Sequence, residues 1–241
     1  IEYFKNLKNL GHKILYIDEE GLMSFNKEFT HRRVTKKSLE LIDTYFTWGS
    51  KHQSDMIDLF PDFRNKFKVV GNPRFDIIKK NSKSFYVDEV KKIKDVNGDF
   101  FLLVTKFGKT NYVKRKNISN YYDSQNLKGL LPTNKLKNIC KRSIKHEEEN
   151  LNNFLEFIKL FSKSLENKKL IILVHPAEDK SIYKKLIINM KNIELANDFS
   201  SNSWILASNL IIQNNCTTSL EAYLLGVRSV QLNFFQDSAI E

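Results

Sequence analysis

Two patterns of hydrophobic and polar residues alternate along this chain. Short, uninterrupted apolar runs, such as residues 170–174 and 210–212, are typical of strands buried in a parallel sheet. Longer stretches carry apolar residues at helical spacing, as at Leu151, Phe154 and Ile158. Because strands that alternate with helices build βαβ units, the pattern predicts an α/β protein.

The apolar runs predict strands at residues 13–17, 44–48, 67–70, 99–105, 170–174, 193–195, 210–213 and 228–232. The periodic stretches predict helices at residues 1–10, 35–43, 51–60, 134–166, 179–189, 203–207 and 217–225. Residues 79–98 are rich in lysine and lack a strong apolar period, so we interpret them as the linker between two domains, 1–78 and 99–241. Residues 106–133 are basic and aromatic, and too long for an ordinary α/β connection, which indicates an insertion.

Composition favours a packed globular protein, because 41% of the 241 residues are hydrophobic and 18 are phenylalanine. The two cysteines, Cys140 and Cys216, lie far apart without metal-ligand spacing, which fits a reducing cytoplasm. No apolar run approaches the roughly 18–20 residues of a transmembrane helix, and no signal peptide is visible. The chain opens at Ile1 in mid-pattern and stops at Glu241 just after an apolar run, so we expect it to be truncated at both ends.

The formal net charge of +11 has two explanations. It favours an anionic partner such as nucleic acid. It also fits a general coding bias, because lysine and asparagine are abundant throughout while the chain has only 8 glycines and 4 prolines. Under the second explanation, attraction to an anionic donor or to membrane lipids is a secondary benefit.

Two predicted strands end in residues suited to phosphate binding. His175-Pro176 follows the run at 170–174, where the imidazole can donate Nε2–H to a phosphoryl oxygen and the proline stiffens the turn. Residues 214–221 follow the run at 210–213 and read Asn214-Asn215-Cys216-Thr217-Thr218-Ser219-Leu220-Glu221. Hydroxyls and free N–H groups at a helix start bind anions, although the residues from Thr218 to Glu221 also match a capping box. A strand-terminating histidine and a helix cap are the structural alternatives.

Two further motifs lie in the first domain. Asp18-Glu19-Glu20-Gly21 follows the first strand, where mutual repulsion of adjacent acids raises at least one pKa and suits a general acid or base. Residues 71–76, Gly-Asn-Pro-Arg-Phe-Asp, predict a tight turn that places Arg74 and Asp76 near the hinge. A solvated acidic loop and a salt-bridged hinge are the corresponding alternatives.

The chain resembles bacterial sialyltransferases and related transferases that use CMP-activated sugars. The resemblance rests on their three motifs, which occur here in the same order: an acidic pair with glycine within residues 18–21, a His-Pro at 175–176 and paired hydroxyls at 217–219. The longer strings GNPRFD and NCTTSLEAYLLG look most like bacterial surface-carbohydrate biosynthesis proteins. Those proteins are similar to the β-Kdo transferases of capsule and lipopolysaccharide assembly, and more distantly to CDP-glycerol glycerophosphotransferases. The resemblance covers about residues 13–76 and 170–232.

This resemblance implies the GT-B architecture, in which two Rossmann-like domains face each other across a cleft. The first domain would take a glycan or glycolipid acceptor, and the second the nucleotide-sugar donor. No metal and no cofactor other than the CMP-sugar donor is implied. The reaction would take place in the cytoplasm, at the inner face of the membrane.

The resemblance also implies roles for individual residues. His175, Pro176, Thr217, Thr218 and Ser219 would hold the CMP phosphate, and Glu221 or Asn215 would contact the ribose. Glu20, with Glu19 next, would serve in proton transfer. A retaining enzyme also needs a carboxylate nucleophile, for which Asp76 is a candidate by position alone.

Two other functions stay open. A CDP-glycerol-type glycerophosphotransferase would use the same cytidine grip but attack at phosphorus. It tends to carry a second histidine, and His12, His31, His52 and His146 have no recognisable sequence context. A non-catalytic nucleic-acid-binding protein would use the segment 106–122, where basic residues interleave with Phe107, Tyr112, Tyr121 and Tyr122.

Overall fold

The computed structural model describes residues 1–18, 34–113, 120–131, 133–165, 167–197, 199–214, 216–232 and 234, with the side chains of 79–83 left out. The chain divides into two compact units, Ile1–Asp76 and Ile77–Ile240. The boundary falls inside one helix, Pro73–Phe85. We therefore describe each unit by itself.

The first unit is built on a parallel sheet of β1 (Leu15–Ile17), β2 (Thr44–Thr47) and β3 (Phe67–Val69), in that order. In register, Tyr16 lies opposite Tyr45, and Tyr45 opposite Phe67. Its helices are α1 (Glu2–Asn9), α2 (Lys36–Leu41), α3 (Ser50–Leu59) and a 3₁₀ helix at Pro61–Lys66. The core side chains include Leu39, Tyr45, Met56 and Phe67.

The second unit contains a five-stranded parallel sheet. Its strands are β4 (Phe100–Val104), β5 (Lys169–Leu173), β6 (Ile193–Leu195), β7 (Leu210–Gln213) and β8 (Ser229–Gln231). The helices, with the one that contains the boundary first, are α4 (Pro73–Phe85), α5 (Val87–Asn97), α6 (Tyr121–Leu127), α7 (Asn134–Ser162), α8 (Ser181–Ile187), α9 (Ser201–Ala207) and α10 (Thr218–Leu225). No helix in the described part of the chain is long and apolar enough to cross a membrane.

Strand order in the second unit is β6-β5-β4-β7-β8, so the chain starts in the middle of the sheet and builds outward on both sides. This is the doubly wound Rossmann-like arrangement, and it confirms the predicted α/β class. The long helix α7 packs Phe154 and Ile158 into the core, where the Phe107 and Phe154 ring centroids lie 5.0 Å apart. This helix buries apolar residues at helical spacing, as the sequence pattern predicted.

Residues 79–98, which we expected to form a connection, are largely helical. Pro73 opens α4, since its fixed φ suits the first helical turn and its missing N–H is not needed there. In α5, Glu89 accepts hydrogen bonds from the Ser200 N–H and the Ser203 hydroxyl, which attaches α5 to α9. The sequence pattern did not predict α5 because its apolar stripe is narrow among the lysines, with Ile93 as its buried residue. The role of this segment as a linker stays a prediction.

The Asp43 carboxylate connects α1 to the start of the first sheet. Lys8 donates to both carboxylate oxygens of Asp43 at 2.8 and 2.9 Å, and the Ile14 N–H donates to Asp43 at 2.7 Å. The Lys8 hydrogen bond, followed by that of Ile14, lowers the pKa of Asp43 from its ordinary value of 3.8. The folded state therefore favours the ionised carboxylate.

We expect Asp43→Asn to reduce stability near neutral pH, with the deficit shrinking as the pH falls below 3.8. A depressed folded-state pKa gives stability above the unfolded pKa, which is lost as the pH falls through the folded value. Urea unfolding at several pH values measures this. Asp62→Asn is the control, since Asp62 forms an exposed 3.4 Å pair with Lys36. A deficit that does not change with pH would contradict the assignment.

Candidate functional site

The strand order of the second unit marks one edge of its sheet as the candidate site. From β4 the chain runs to β5 and β6 on one side, and later to β7 and β8 on the other. Ligands of open α/β sheets bind outside the carboxyl ends of the strands, where the order reverses. The residues at this point are 105–113 after β4, and 214, 216 and 217 after β7, with His175 after β5 on the other side of β4. Because β4 separates β5 from β7, the two predicted phosphate motifs flank it, about 10 Å apart at the strand axes.

His175 stands at this edge in a defined orientation. Its Nδ1 accepts a hydrogen bond from the Ala177 N–H at 3.1 Å. In the neutral imidazole the proton must then sit on Nε2. His175 and Pro176 are both exposed, so the Nε2–H is presented to solvent as a hydrogen-bond donor.

A buried carboxylate, Glu178, joins the segment after β4 to the segment after β5. Its Oε1 accepts from the Thr105 hydroxyl at 2.8 Å and the Phe107 N–H at 2.9 Å. Its Oε2 accepts from the Tyr183 hydroxyl at 2.6 Å and the Asn111 amide at 3.4 Å. Glu178 is only 3% exposed, so these four donors take the place of water. This residue went unnoticed in the sequence because its partners lie up to 73 positions away.

The Glu178 network reaches the main chain of His175. The His175 N–H donates to the Thr105 hydroxyl oxygen at 3.2 Å, and the Thr105 hydroxyl in turn donates to Glu178. Burial, followed by the nearby Glu178 carboxylate, raises the pKa of Tyr183 far above its ordinary value, so Tyr183 remains a donor. The backbones also approach closely, since a Cβ on Gly108 would lie 3.2 Å from the Ala177 Cβ. The network therefore fixes His175 relative to the end of β4.

A second carboxylate holds the same segment from the side of α7. Glu147 accepts from the backbone N–H groups of Lys109 and Thr110 at 2.7 and 3.1 Å. The Lys109 ammonium lies 3.8 Å from the other Glu147 oxygen. Burial raises the pKa of Glu147, partly offset by Lys109. The segment at the switch point is thus attached to two elements by carboxylates.

The start of α10 departs from the predicted capping box. The helix is preceded by Thr217, whose side chain makes no capping bond and whose φ and ψ of −60° and −20° are already helical. The Ser219 hydroxyl donates to the Cys216 carbonyl at 2.9 Å, and the Cys216 N–H donates to Gln213 at 2.9 Å. Glu221 is only 3% exposed, in the first turn of the helix. Thr217 and Thr218 are half-buried, and their phosphate role stays a prediction.

Three of the predicted site residues lie outside the described residues: Glu19, Glu20 and Asn215. Asp76 is described and is exposed in the first turn of α4. The predicted tight turn at 71–76 is partly correct: Gly71 has a φ of +84°, and the Asn72 side chain accepts from the Arg74 N–H at 2.9 Å. The helix begins at Pro73, however, so Asp76 belongs to a helix and not to a turn. Among the described residues no group of three or more His, Cys, Asp or Glu side chains could hold a metal ion.

In the first unit, a buried polar cluster forms where β1 ends. Asp18 is 2% exposed and accepts from the Tyr45 hydroxyl at 3.1 Å. His52 Nε2 lies 3.7 Å from the same carboxylate, and His52 Nδ1 accepts from the Trp48 N–H at 3.3 Å. The Trp48 indole N–H donates to the Asp18 carbonyl. His52 therefore lies beside Asp18, the first acid of the predicted motif, a context that its sequence neighbours did not reveal.

The aromatic residues of the basic segment are engaged within the second unit. Phe107 is fully buried, so the proposal that it stacks on bases is wrong. The Tyr112 and Tyr121 rings meet edge to face at 6.2 Å, and the Lys141 ammonium lies 5.4 Å from the Tyr122 ring centroid. Tyr112 also forms an isolated antiparallel bridge with Glu178. The described part of the segment belongs to the structure around the site.

No protein-family model matches the sequence, and no curated protein matches it. Several solved structures are similar in fold. The UDP-GlcNAc 2-epimerase of Methanocaldococcus jannaschii matches 95% of this chain with 18% identity and a TM-score of 0.52. That of Neisseria meningitidis, bound to UDP-GlcNAc, matches 97% with 13% identity and a TM-score of 0.55. That of Rickettsia bellii matches 95% with 13% identity and a TM-score of 0.52.

At these identities the similarity shows the fold alone. It confirms the α/β class with Rossmann-like parallel sheets of the GT-B kind. The chain spans 56%, 63% and 52% of the three epimerases' lengths. The similar proteins are enzymes named for a nucleotide sugar.

We expect Glu178→Ala to destabilise the protein strongly, because it leaves the donors of Thr105, Phe107, Tyr183 and Asn111 buried without their acceptor. Each buried donor left unpaired costs about 1–3 kcal/mol. Glu178→Gln retains one acceptor oxygen and should cost less. Urea unfolding of both variants measures this, with exposed Glu148→Ala in α7 as the control. Equal stability of Glu178→Ala and Glu148→Ala would show that Glu178 does not hold the site together.

Proposed function

We propose that this protein acts on a nucleotide-activated sugar in surface polysaccharide biosynthesis, as a glycosyltransferase with a CMP-activated donor carrying Kdo or another acidic sugar. The orientation of His175 is the observation that carries this proposal. Its Nδ1 is occupied by the Ala177 N–H, which leaves Nε2–H as an exposed donor beside the strand where the sheet order reverses. Such a donor suits a phosphoryl oxygen.

The proposed phosphate grip has two sides. His175 lies after β5, and the half-buried Thr217 and Thr218 stand at the start of α10 after β7. The N-terminal end of a helix favours negative charge, and hydroxyls and N–H groups add hydrogen bonds. In transfer, the bond between the sugar and the CMP oxygen breaks and negative charge develops on the phosphate. Donors held in place before the reaction stabilise that charge without reorganising.

The remaining roles rest on the motif resemblance. Glu20, or Glu19 in its place, would take the proton of the acceptor hydroxyl, and Asp76 is a candidate nucleophile if the anomeric configuration is retained. Ser219 already donates to the Cys216 carbonyl, so within the grip we give it a structural part. Asn215 or Glu221 would contact the ribose. The donor needs no further cofactor in this scheme, and the reaction would take place at the cytoplasmic face of the membrane.

The same grip would serve a CDP-glycerol-type glycerophosphotransferase, so this alternative differs in the bond broken and not in the nucleotide. The nucleic-acid alternative loses support because its aromatic residues are packed. Phe107 lies in the core, and Tyr121 and Tyr122 contact Tyr112 and Lys141. Base stacking requires exposed ring faces.

A thermal-shift panel of CMP, CDP, UMP, UDP and GDP tests the nucleotide class. We expect CMP and CDP to stabilise the protein most, by about 2.7 kcal/mol at 100 times the Kd. His175→Ala should weaken CMP binding about 10–100-fold, the value of a hydrogen bond to a charged group. His12→Ala removes an exposed imidazole from the first unit and should leave binding unchanged. A preference for UDP would show that the donor carries uridine instead of cytidine. No shift with any nucleotide would refute the proposal.

Glu20→Gln tests the catalytic assignment separately. The amide keeps the size of the side chain but cannot shuttle a proton, so we expect unchanged CMP affinity and a kcat about 10²–10⁴ lower. Calorimetry with CMP and transfer from a CMP-sugar measure the two quantities. Full turnover in Glu20→Gln would remove Glu20 from the chemistry while leaving the His175 grip intact.

A further inference from the structure

The first half of α7 carries an uneven charge distribution. Between residues 134 and 146, α7 has five cations and no acid: Lys135, Lys137, Lys141, Arg142 and Lys145. Four glutamates follow in the rest of α7, at 147, 148, 149 and 156, against one cation, Lys159. A general excess of lysine in the chain does not explain such a division within one helix.

Helix stability does not explain it either. The partial positive charge at a helix N-terminus favours acids there, yet the first turn of α7 contains no acid and carries Lys135 and Lys137. Lys137, Lys141 and Lys145 follow one another at i, i+4 spacing, where like charges repel. The helix therefore forms despite these charges, so we look for their role in a contact outside the helix.

These three lysines form a solvent-facing stripe, which we call the basic face. Lys141 and Lys145 are exposed and Lys137 is half-buried. Other positions of the same helix are buried, among them Cys140, Ser143 and, further along, Leu151. The basic face is thus presented outward by the same amphipathic packing that anchors α7 in the core.

Aromatic and apolar groups accompany the basic face. The Lys141 ammonium lies 5.4 Å from the Tyr122 ring centroid, which ties α6 to α7. At the end of α6, Leu127 is 72% exposed and is followed by Lys128. Lysines next to half-buried tyrosines and an exposed leucine are the composition of surfaces that lie on lipid headgroups.

We propose that the basic face of α7 docks on an anionic lipid bilayer. Charge complementarity carries this proposal, and the exposed Leu127 adds an apolar contact of the kind that bilayers accept. Single-stranded nucleic acid fits less well, because the tyrosine rings available for stacking already pack against Tyr112 and Lys141. The proposal identifies the surface that would bring the protein to the membrane face named in the proposed function, and it does not require nucleotide binding. Lys109 is the link between them, since it follows β4 at the site and contacts Ser143 and Glu147 of α7.

Vesicle flotation tests this proposal. We expect the protein to float with vesicles of about one part phosphatidylglycerol to three parts phosphatidylcholine, and not with phosphatidylcholine alone. The variant with Lys137, Lys141 and Lys145 all changed to Gln should bind the anionic vesicles about 100-fold more weakly, at about fivefold per lysine. Its thermal stability should change little, because the loss of two repulsive i, i+4 pairs is offset by the loss of the Lys141–Tyr122 contact and of the attraction between Lys145 and Glu149.

The matched control changes Lys91, Lys94 and Lys184 to Gln, three exposed lysines on α5 and α8. It lowers the net charge equally and should keep vesicle binding within about threefold, because screening confines the attraction to charges near the bilayer. Wild-type binding should also fall steeply with added salt, a result that does not depend on any variant folding.

Several outcomes would overturn the proposal: equal binding to neutral vesicles, equal loss in both triple variants, or insensitivity to salt. Tighter binding to a single-stranded oligonucleotide than to vesicles, lost with the same three lysines, would assign the face to nucleic acid. The CMP shift measured on the same variants separates this result from the proposed function. Both triple variants should retain that shift.

Discussion

The site edge of the second unit depends on one buried carboxylate. Glu178 carries a charge into the interior, where desolvation is unfavourable unless hydrogen bonds replace the lost water. It accepts from two side-chain hydroxyls, one backbone N–H and one amide. Those donors come from the segment after β4 and from α8, so satisfying the charge requires both to be in place. A single desolvated group thus makes the geometry of two strand ends mutually dependent.

This dependence bears on the proposed role of His175. His175 is exposed, and an exposed imidazole would ordinarily sample several orientations. Here the Ala177 N–H occupies its Nδ1, and its own N–H donates to Thr105, which donates to Glu178. The cost of orienting the donor is met during folding, which is what electrostatic preorganisation requires. An exposed histidine can therefore still present its donor from a fixed position.

The sequence predicts those features of the fold and site that depend on neighbouring residues, and misses those that depend on residues far apart in the chain. Buried strands and amphipathic helices are set by local hydrophobic periodicity, and the predicted strands at 99–105, 170–174 and 210–213 match β4, β5 and β7. Helix α5 was missed because its buried stripe is thin among lysines. The capping box failed because Thr218, its expected cap, is already helical and follows a helical Thr217, which a four-residue pattern does not reveal. Glu178 and His52 were missed because their meaning lies in contacts with distant residues.

The charges of α7 also show a difference between local rules and the role of a residue in the whole protein. Helix dipole and i, i+4 rules are local, and a helix selected for stability alone should obey them. In α7 they are violated over the first half, while the packing side of the same helix follows its hydrophobic period closely. Sequences depart from local preferences mainly where function outweighs stability. Lys109, in the segment after β4, contacts Ser143 and Glu147 of α7, so the helix that carries the basic face also packs against the segment at the switch point.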